Sequence, residues 1–198
     1  FSEVIKVERP TLTVPRSTIF HRRGLAHAQL SDYIHAVDNY NQALRLDPGN
    51  GAVFSDRGLA FARQGNYDRA IEDYNQAIEL NAHDAVAYFY RGQAHADQNT
   101  LDKAIKDYGQ AIKLRPAYAD AFHHRGLAHL RQNKLNKAIT DLNRAIELNP
   151  KEVANYRQRG LVYVRQKKFE QAIDDFDQAI RLNPADRMSY FNLGLAYM

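Results

Sequence analysis

Large apolar, small and polar residues recur along this chain with a period of 34. Aromatic residues stand at Phe20, Phe54, Tyr88, Phe122, Tyr156 and Tyr190, and each is followed four positions later by a glycine: Gly24, Gly58, Gly92, Gly126, Gly160 and Gly194. Counting each unit so that the aromatic falls at position 4 and the glycine at 8, position 11 is His27, Phe61, His95, His129, Tyr163 or Tyr197. Position 20 is always alanine (Ala36, Ala70, Ala104, Ala138, Ala172), as is position 27. Position 24 is large (Tyr40, Tyr74, Tyr108, Leu142, Phe176) and position 30 is always leucine. Positions 4, 8 and 11 share one face of a helix, and so do 17, 20, 24, 27 and 28. Each unit therefore predicts two amphipathic helices, A near positions 1–14 and B near 17–30. A turn at 15–16, as in Gly65-Asn66, separates them, and a proline at position 32 closes the unit in all but the second, where Ala82 stands. Full units run over 17–50, 51–84, 85–118, 119–152 and 153–186, with a partial sixth over 187–198. Residues 1–16, β-branched and broken by Pro10 and Pro15, read as an extended N-terminal arm or linker.

Glycine inside a helix costs about 1 kcal/mol against alanine, so a register of glycines needs a packing reason. The expected reason is close approach: Gly24, Gly58, Gly92, Gly126 and Gly160 of helices A against Ala36, Ala70, Ala104, Ala138 and Ala172 of helices B. Gly126 with Ala138 serves as the type contact. One such hairpin cannot bury both its faces, so the units must stack on one another.

With these positions in hand, the chain resembles the tetratricopeptide repeat (TPR) family, whose pattern W-x2-L-G-x2-Y…A-x3-F…P has the same period. The likeness runs over 17–198. It departs at position 4, where Phe or Tyr replaces Trp, and at position 7, where Arg23, Arg57, Arg91, Arg125 and Arg159 replace Leu and only Leu193 conforms. The resemblance implies an all-α fold: an α-solenoid, a right-handed superhelix of tandem helix-turn-helix units with helices A lining its concave face. It also implies a non-enzymatic scaffold for protein–protein interaction, working through a peptide-binding groove.

Composition narrows the chemistry. The chain has no cysteine, which removes disulfides, thiolate metal sites and a cysteine nucleophile. That fits the cytoplasm and leaves export open. No apolar run approaches the roughly 20 residues of a membrane helix. With no initiator Met and no signal peptide at Phe1, the chain reads as an excerpt or a processed product. No Gly-rich phosphate loop, H-E-x-x-H or nucleophile–base set is present, so no catalytic residue and no cofactor is expected. His27, His95 and His129 occupy the family's buried aromatic position and read as core filling. His123 and His124 are adjacent and point to different sides of a helix, so no metal site is expected. The arginines at position 7 are matched at position 23 by Asp73, Asp107, Asp141 and Asp175, with Asn39 in the first unit. This recurrence predicts bidentate Arg–Asp pairs between helices rather than anion sites.

What remains is the groove. The formal net charge is +4, but helices A carry eight net positive charges, the arm one, and the other segments five net negative. The family's groove-facing positions give an apolar floor of Leu25, Leu59, Leu127 and Leu161, broken by Gln93. Beside it runs a mostly basic row of Arg63, Arg131 and Arg165, broken by Asp97. Position 5 adds Phe89, His123 and Arg157. This set predicts a protein or peptide partner with apolar anchors and acidic flanks. The lysines and asparagines with which TPR co-chaperones clamp a heat-shock-protein carboxylate are missing, so no such clamp is expected. Nucleic acid is disfavoured, because Asp56, Asp97 and Asp120 interrupt the basic row and no stacking series accompanies it. The alternative is a partner-recruiting TPR region of a larger enzyme or of a secretion or assembly protein. Such a region could self-associate through the sixth helix A, which has no helix B to cover Tyr190, Leu193 and Tyr197.

Overall fold

The 34-residue period resolves into stacked helical hairpins. A computed structural model describes residues 14–197; the greater part of the arm, residues 1–13, lies outside the described residues. Helices A and B of the five full units are α1 (Arg16–Gln29) and α2 (Tyr33–Leu46), α3 (Gly51–Arg63) and α4 (Tyr67–Leu80), α5 (Ala85–Asp97) and α6 (Leu101–Leu114), α7 (Ala119–Arg131) and α8 (Leu135–Leu148), and α9 (Val153–Arg165) and α10 (Phe169–Leu182). The partial unit contributes α11 (Arg187–Ala196). All regular structure among the described residues is helical. Each helix packs on the one before and the one after it, and each helix A also touches the next helix A. This is the α-solenoid expected from the repeat.

The A-to-B turns share one geometry whatever their sequence. Position 15 is left-handed in every full unit: Ser31 (φ 60°), Gly65 (76°), Asn99 (60°), Asn133 (58°) and Lys167 (58°). The following amide donates back to the carbonyl of position 11, as in Asp32 to His27 (2.9 Å) and Lys134 to His129 (2.8 Å), and the amide of position 15 donates to position 12. These two bonds are the Schellman ending of a helix, which satisfies carbonyls that the last turn leaves free.

The core is a file of small and large residues. Ala36, Ala70, Ala104, Ala138 and Ala172 are wholly buried, and so are Tyr74, Leu142 and Phe176. The close Gly–Ala approach that the sequence suggests is present, since a Cβ on Gly58, Gly92 or Gly126 would stand 3.2, 3.3 or 3.4 Å from the carbonyl of Ala70, Ala104 or Ala138, and a tighter contact stands beside it. A Cβ on Gly24 would meet the Tyr40 ring at 2.5 Å, one on Gly58 the Tyr74 ring at 2.9 Å, and one on Gly160 the Phe176 ring at 2.6 Å. Glycine at position 8 is therefore the bed on which the large side chain of position 24 lies. Gly126 is the roomiest of the five, because Leu142 replaces the ring and its Cγ would stand at 3.1 Å, with the Ala138 carbonyl at 3.4 Å.

Candidate partner-binding groove

The arginines of position 7 are the main polar ties of the solenoid. Arg57 donates through Nε and Nη2 to both carboxylate oxygens of Asp73 (2.9 and 2.6 Å) and through Nη1 to Asn41 Oδ1 (2.6 Å). Asp73 belongs to the same unit and Asn41 to the preceding one, so one guanidinium joins α4 to α2. Arg91 repeats the arrangement with Asp107 and Asn75, and Arg159 with Asp175 and Asn143. Arg125 holds Asp141 in the same way, but the position of its asparagine is taken by Gly109. The position 4 ring lies against each of these guanidiniums, and for Arg57 and Arg159 the position 11 ring does too, as Phe54 and Phe61 flank Arg57 at 5.5 and 5.9 Å. Burial pushes the Asp73 carboxyl up and Arg57 draws it back; the two short parallel bonds are those of an ionised pair. These arginines are thus structural, as their recurrence predicts. Arg23, with Asn39 in place of Asp, is exposed.

A second ladder escaped the sequence reading. The position 14 glutamines reach back to position 18 of the preceding unit: Gln98 to Asp68 (2.6 Å), Gln132 to Asp102 (2.9 Å) and Gln166 to Asn136 (2.8 Å). Its signal was available in the glutamine repeated at Gln64, Gln98, Gln132 and Gln166.

Three cavities follow one another along helices A of the first four units. The first, of about 280 Å³, lies between Leu25, Gln29, Tyr33, Leu59 and Arg63. The second, of about 150 Å³, shares Leu59 and Arg63 and adds Tyr74, Tyr90, Gln93 and Asp97. The third, of about 260 Å³, shares Gln93 and Asp97 and continues to His124, Leu127 and Arg131. Together they form one trough. At the floor of its middle section the Tyr74 hydroxyl is buried and bonded to no protein atom, and burial raises its pKa well above the ordinary tyrosine range.

The structure distributes the twelve groove candidates unequally. Leu25, Leu59, Arg63, Gln93, Asp97, Leu127 and Arg131 line the trough. Arg131 is also spoken for in part: its guanidinium caps the end of α5, donating to the Ala96 carbonyl (2.9 Å) and to Asn99 (3.0 Å). Arg165 makes the corresponding bond to the Leu130 carbonyl (3.4 Å), and Leu161 packs on the core around Phe176. The position 5 residues do not face open groove. Phe89 is 5% exposed, enclosed by Tyr108, Tyr118 and His124, because α5 and α7 meet over it. His123 bonds Asn155 through Nδ1 (2.6 Å), and Arg157 bonds Asp186 (2.8 and 3.0 Å). These three join neighbouring units. His124, beneath Phe89, is held neutral: burial, reinforced by the adjacent His123, lowers its pKa to about 4. His95 and His129 point Nε2 at Asp107 and Asp141 (3.9 and 3.8 Å), and burial lowers the pKa of both. His27 is different: its Nδ1 lies 3.1 Å from Asp32 Oδ2, which His35 Nδ1 also reaches at 2.8 Å, so two imidazoles and a carboxylate are gathered at one turn.

Comparison with family models covers the solenoid nearly end to end. The model described as "TPR repeat" matches residues 24–65, 58–99 and 92–133, and the one described as "Tetratricopeptide repeat" matches 126–190. The chain belongs to the tetratricopeptide repeat family. Among solved TPR structures, MamA is similar at 26% identity with a TM-score of 0.76, covering 81% of this chain and 94% of MamA. YrrB, described as a TPR protein with an unusual peptide-binding site, is similar in fold at 16% identity and a TM-score of 0.72, covering 87% of this chain and 89% of YrrB. The first TPR of Spaghetti (RPAP3), bound to the HSP90 peptide SRMEEVD, is similar at 25% identity and a TM-score of 0.59, covering 60% of this chain and 94% of that one. No curated protein sequence gives a significant match. As a TPR protein the chain is a protein-interaction scaffold, of a family that is generally non-catalytic. No helix among the described residues is long and apolar enough to cross a membrane.

Proposed function

We propose that the trough along α1, α3, α5 and α7 binds a segment of a partner protein with apolar anchors and acidic flanks. The observation that carries this reading is the continuity of the three cavities. Each passes to the next through a shared pair, Leu59 with Arg63 and then Gln93 with Asp97. An extended peptide advances about 3.3 Å per residue, so it places successive side chains along such a row. Leucines 25, 59 and 127 offer apolar floor, exposed Arg63 and Arg131 attract carboxylates, and Gln93 with the Tyr74 hydroxyl offers hydrogen bonds to peptide groups. YrrB and the Spaghetti TPR are described as peptide-binding, which supports a peptide as the class of ligand. The carboxylate-clamp lysines are absent from this sequence, so the chemistry proposed is side-chain recognition rather than capture of a chain end.

The test is a displayed library of random peptides selected on the protein, with enriched sequences measured by fluorescence anisotropy. Enriched peptides should carry Asp or Glu beside Leu, Ile or Phe, and Arg63→Glu or Leu127→Asp should each weaken binding at least about tenfold, a 1.4 kcal/mol loss. Lys106→Glu, at an exposed residue of α6 outside the trough, should not. Peptides that bind both groove variants unchanged would place the site elsewhere.

A second reading rests on α11, which exposes Met188, Tyr190, Phe191 and Leu195 by half or more, with Tyr197 exposed just beyond its end. An apolar face of this kind marks a contact surface, and self-association through it is consistent with a recruiting region of a larger assembly. Light scattering of the wild type against Phe191→Glu distinguishes a dimer built on this face from a monomer.

A further inference from the structure

The turn between α1 and α2 differs from every other turn of the solenoid in what it gathers. His27 closes the last turn of α1, Asp32 caps α2, and His35 stands in the first turn of α2. His27 Nδ1 lies 3.1 Å from Asp32 Oδ2, and His35 Nδ1 lies 2.8 Å from the same oxygen. The imidazoles face one another, with centroids 5.4 Å apart and planes inclined by 30°. One candidate donor atom from each residue lies within 4.8 Å of the other two.

The fold does not require these residues. The same left-handed turn and the same helix-ending bonds are made by Phe61, Asn66 and Arg69 in the second unit, by His95, Thr100 and Lys103 in the third, by His129, Lys134 and Lys137 in the fourth, and by Tyr163, Lys168 and Gln171 in the fifth. Four units thus serve as internal controls. Only the first unites two imidazoles and a carboxylate, and each of the others places at least one Arg or Lys there. The core filling that explains His95 and His129 does not explain His35, whose side chain is 64% exposed.

We propose that His27 Nδ1, His35 Nδ1 and an Asp32 carboxylate oxygen form a site for a divalent transition-metal ion of the zinc, nickel or copper class. The spacing suits it. Tetrahedral ligands at about 2.0–2.1 Å from zinc stand about 3.3 Å from one another, so a shift of a few tenths of an ångström per ring opens the hydrogen-bonded trio around an ion. Two imidazoles and one carboxylate are the donor set of borderline cations, whereas magnesium and calcium prefer all-oxygen sites. On binding, each ring gives up the Nδ1 proton that it donates to Asp32 and carries its proton on Nε2 instead, exchanged through solvent, so the Nδ1 lone pair faces the metal and no charge is built on the imidazoles. Asp32 Oδ1 stays on the His35 amide (3.3 Å), which leaves Oδ2 for the ion. The exposed side of the turn admits water as a fourth ligand. The carboxylate offsets the positive end of α2, and the negative end of α1 favours the cation. A bound ion would join the two helices of the first unit.

The experiment titrates the full chain with Zn²⁺ by calorimetry in a non-coordinating buffer and follows the imidazole resonances by NMR. One equivalent should bind, with shifts at His27 and His35. Binding should weaken at least about tenfold in His35→Arg and in His27→Phe with His35→Arg, substitutions that install the residues with which the second unit folds. His83→Ala, at an exposed histidine outside the turn, should bind as the wild type does. The proposal is overturned if the wild type takes up no Zn²⁺, or if the doubly substituted chain keeps the same equivalent at the same affinity while remaining helical by circular dichroism.

Discussion

Gly109 leaves a gap in the arginine ladder, and filling it tests the ladder's physics. At the three sites where asparagine holds this position, it accepts from Nη1 of the next arginine at 2.6–2.7 Å. Arg125 has only Asp141. A Cβ built on Gly109 would meet Arg125 Nη1 at 3.6 Å, an ordinary contact, so Gly109→Asn has room to form the missing bond. Two effects add. Replacing glycine in the interior of α6 gains helix propensity, about 1 kcal/mol for Ala but only about 0.4 for Asn. A hydrogen bond to a charged donor contributes about 1.5 kcal/mol or more when buried, and about 1 at this half-exposed site. Gly109→Asn should then stabilise by about 1.4 kcal/mol and Gly109→Ala by about 1. Propensity alone gives the reverse order, with Ala ahead by about 0.6 kcal/mol. The assay is urea unfolding of both variants in the Arg125 and Arg125→Lys backgrounds, since a lysine that holds Asp141 cannot also reach position 109. The advantage of Asn should vanish and change sign with lysine, a coupling of about 1 kcal/mol. If Ala leads by the same margin in both backgrounds, the rungs carry no net stability and the reasoning fails.

Other expectations follow from the same contacts. Gly160→Ala, whose Cβ would stand 2.6 Å from the Phe176 ring, should lower thermal stability by about 1–3 kcal/mol, or several degrees for a chain of this size. Gly126→Ala, 3.1 Å from the more yielding Leu142, should cost distinctly less, and Gly194→Ala, which meets nothing within 4 Å, should stabilise α11; equal losses at all three sites would contradict the bed-and-ring packing. His124 has a folded pKa near 4 against 6.5, so the unfolded chain takes up the proton first as pH falls. Stability should be full above about pH 6.5 and decline towards pH 4, by up to about 3 kcal/mol. His124→Phe should flatten that part of the profile, as read by urea midpoints against pH.

Much of the fold was legible because a 34-residue period averages out local accident. Five copies of an alanine at position 20 establish a buried helix face where a single copy would not. The Arg–Asp pairs were legible for the same reason, the two residue types recurring together. The role of glycine was legible in part: the approach to the position 20 alanine is present, but a sequence shows which residues are small and not that the position 24 side chain leans into the space. The groove was harder still. Phe89 shares its position with His21, Ser55 and His123 and could be read as surface, yet α7 brings His124 and Tyr118 over it. Arg131 and Arg165 read as free charges because their acceptors are main-chain carbonyls, which leave no trace in the sequence. The His27–Asp32–His35 group was missed because it lies in one unit only, outside what the repeat repeats.

The bond lengths of the arginine ladder have a counterpart in sequence distance. Each ladder arginine lies 16 residues after its asparagine and 16 before its aspartate. Every tie thus closes a loop of the same short length, which keeps the entropic cost of each closure low and equal. It also fixes an order in time. As the chain leaves the ribosome, the asparagine of one hairpin is already in place when the arginine of the next emerges, and the aspartate that completes the fork follows one helix later. Assembly can therefore proceed vectorially, each finished hairpin presenting the template for its successor. Between Gly109 and Arg125, and again before Leu193, the growing array passes on without such a handhold.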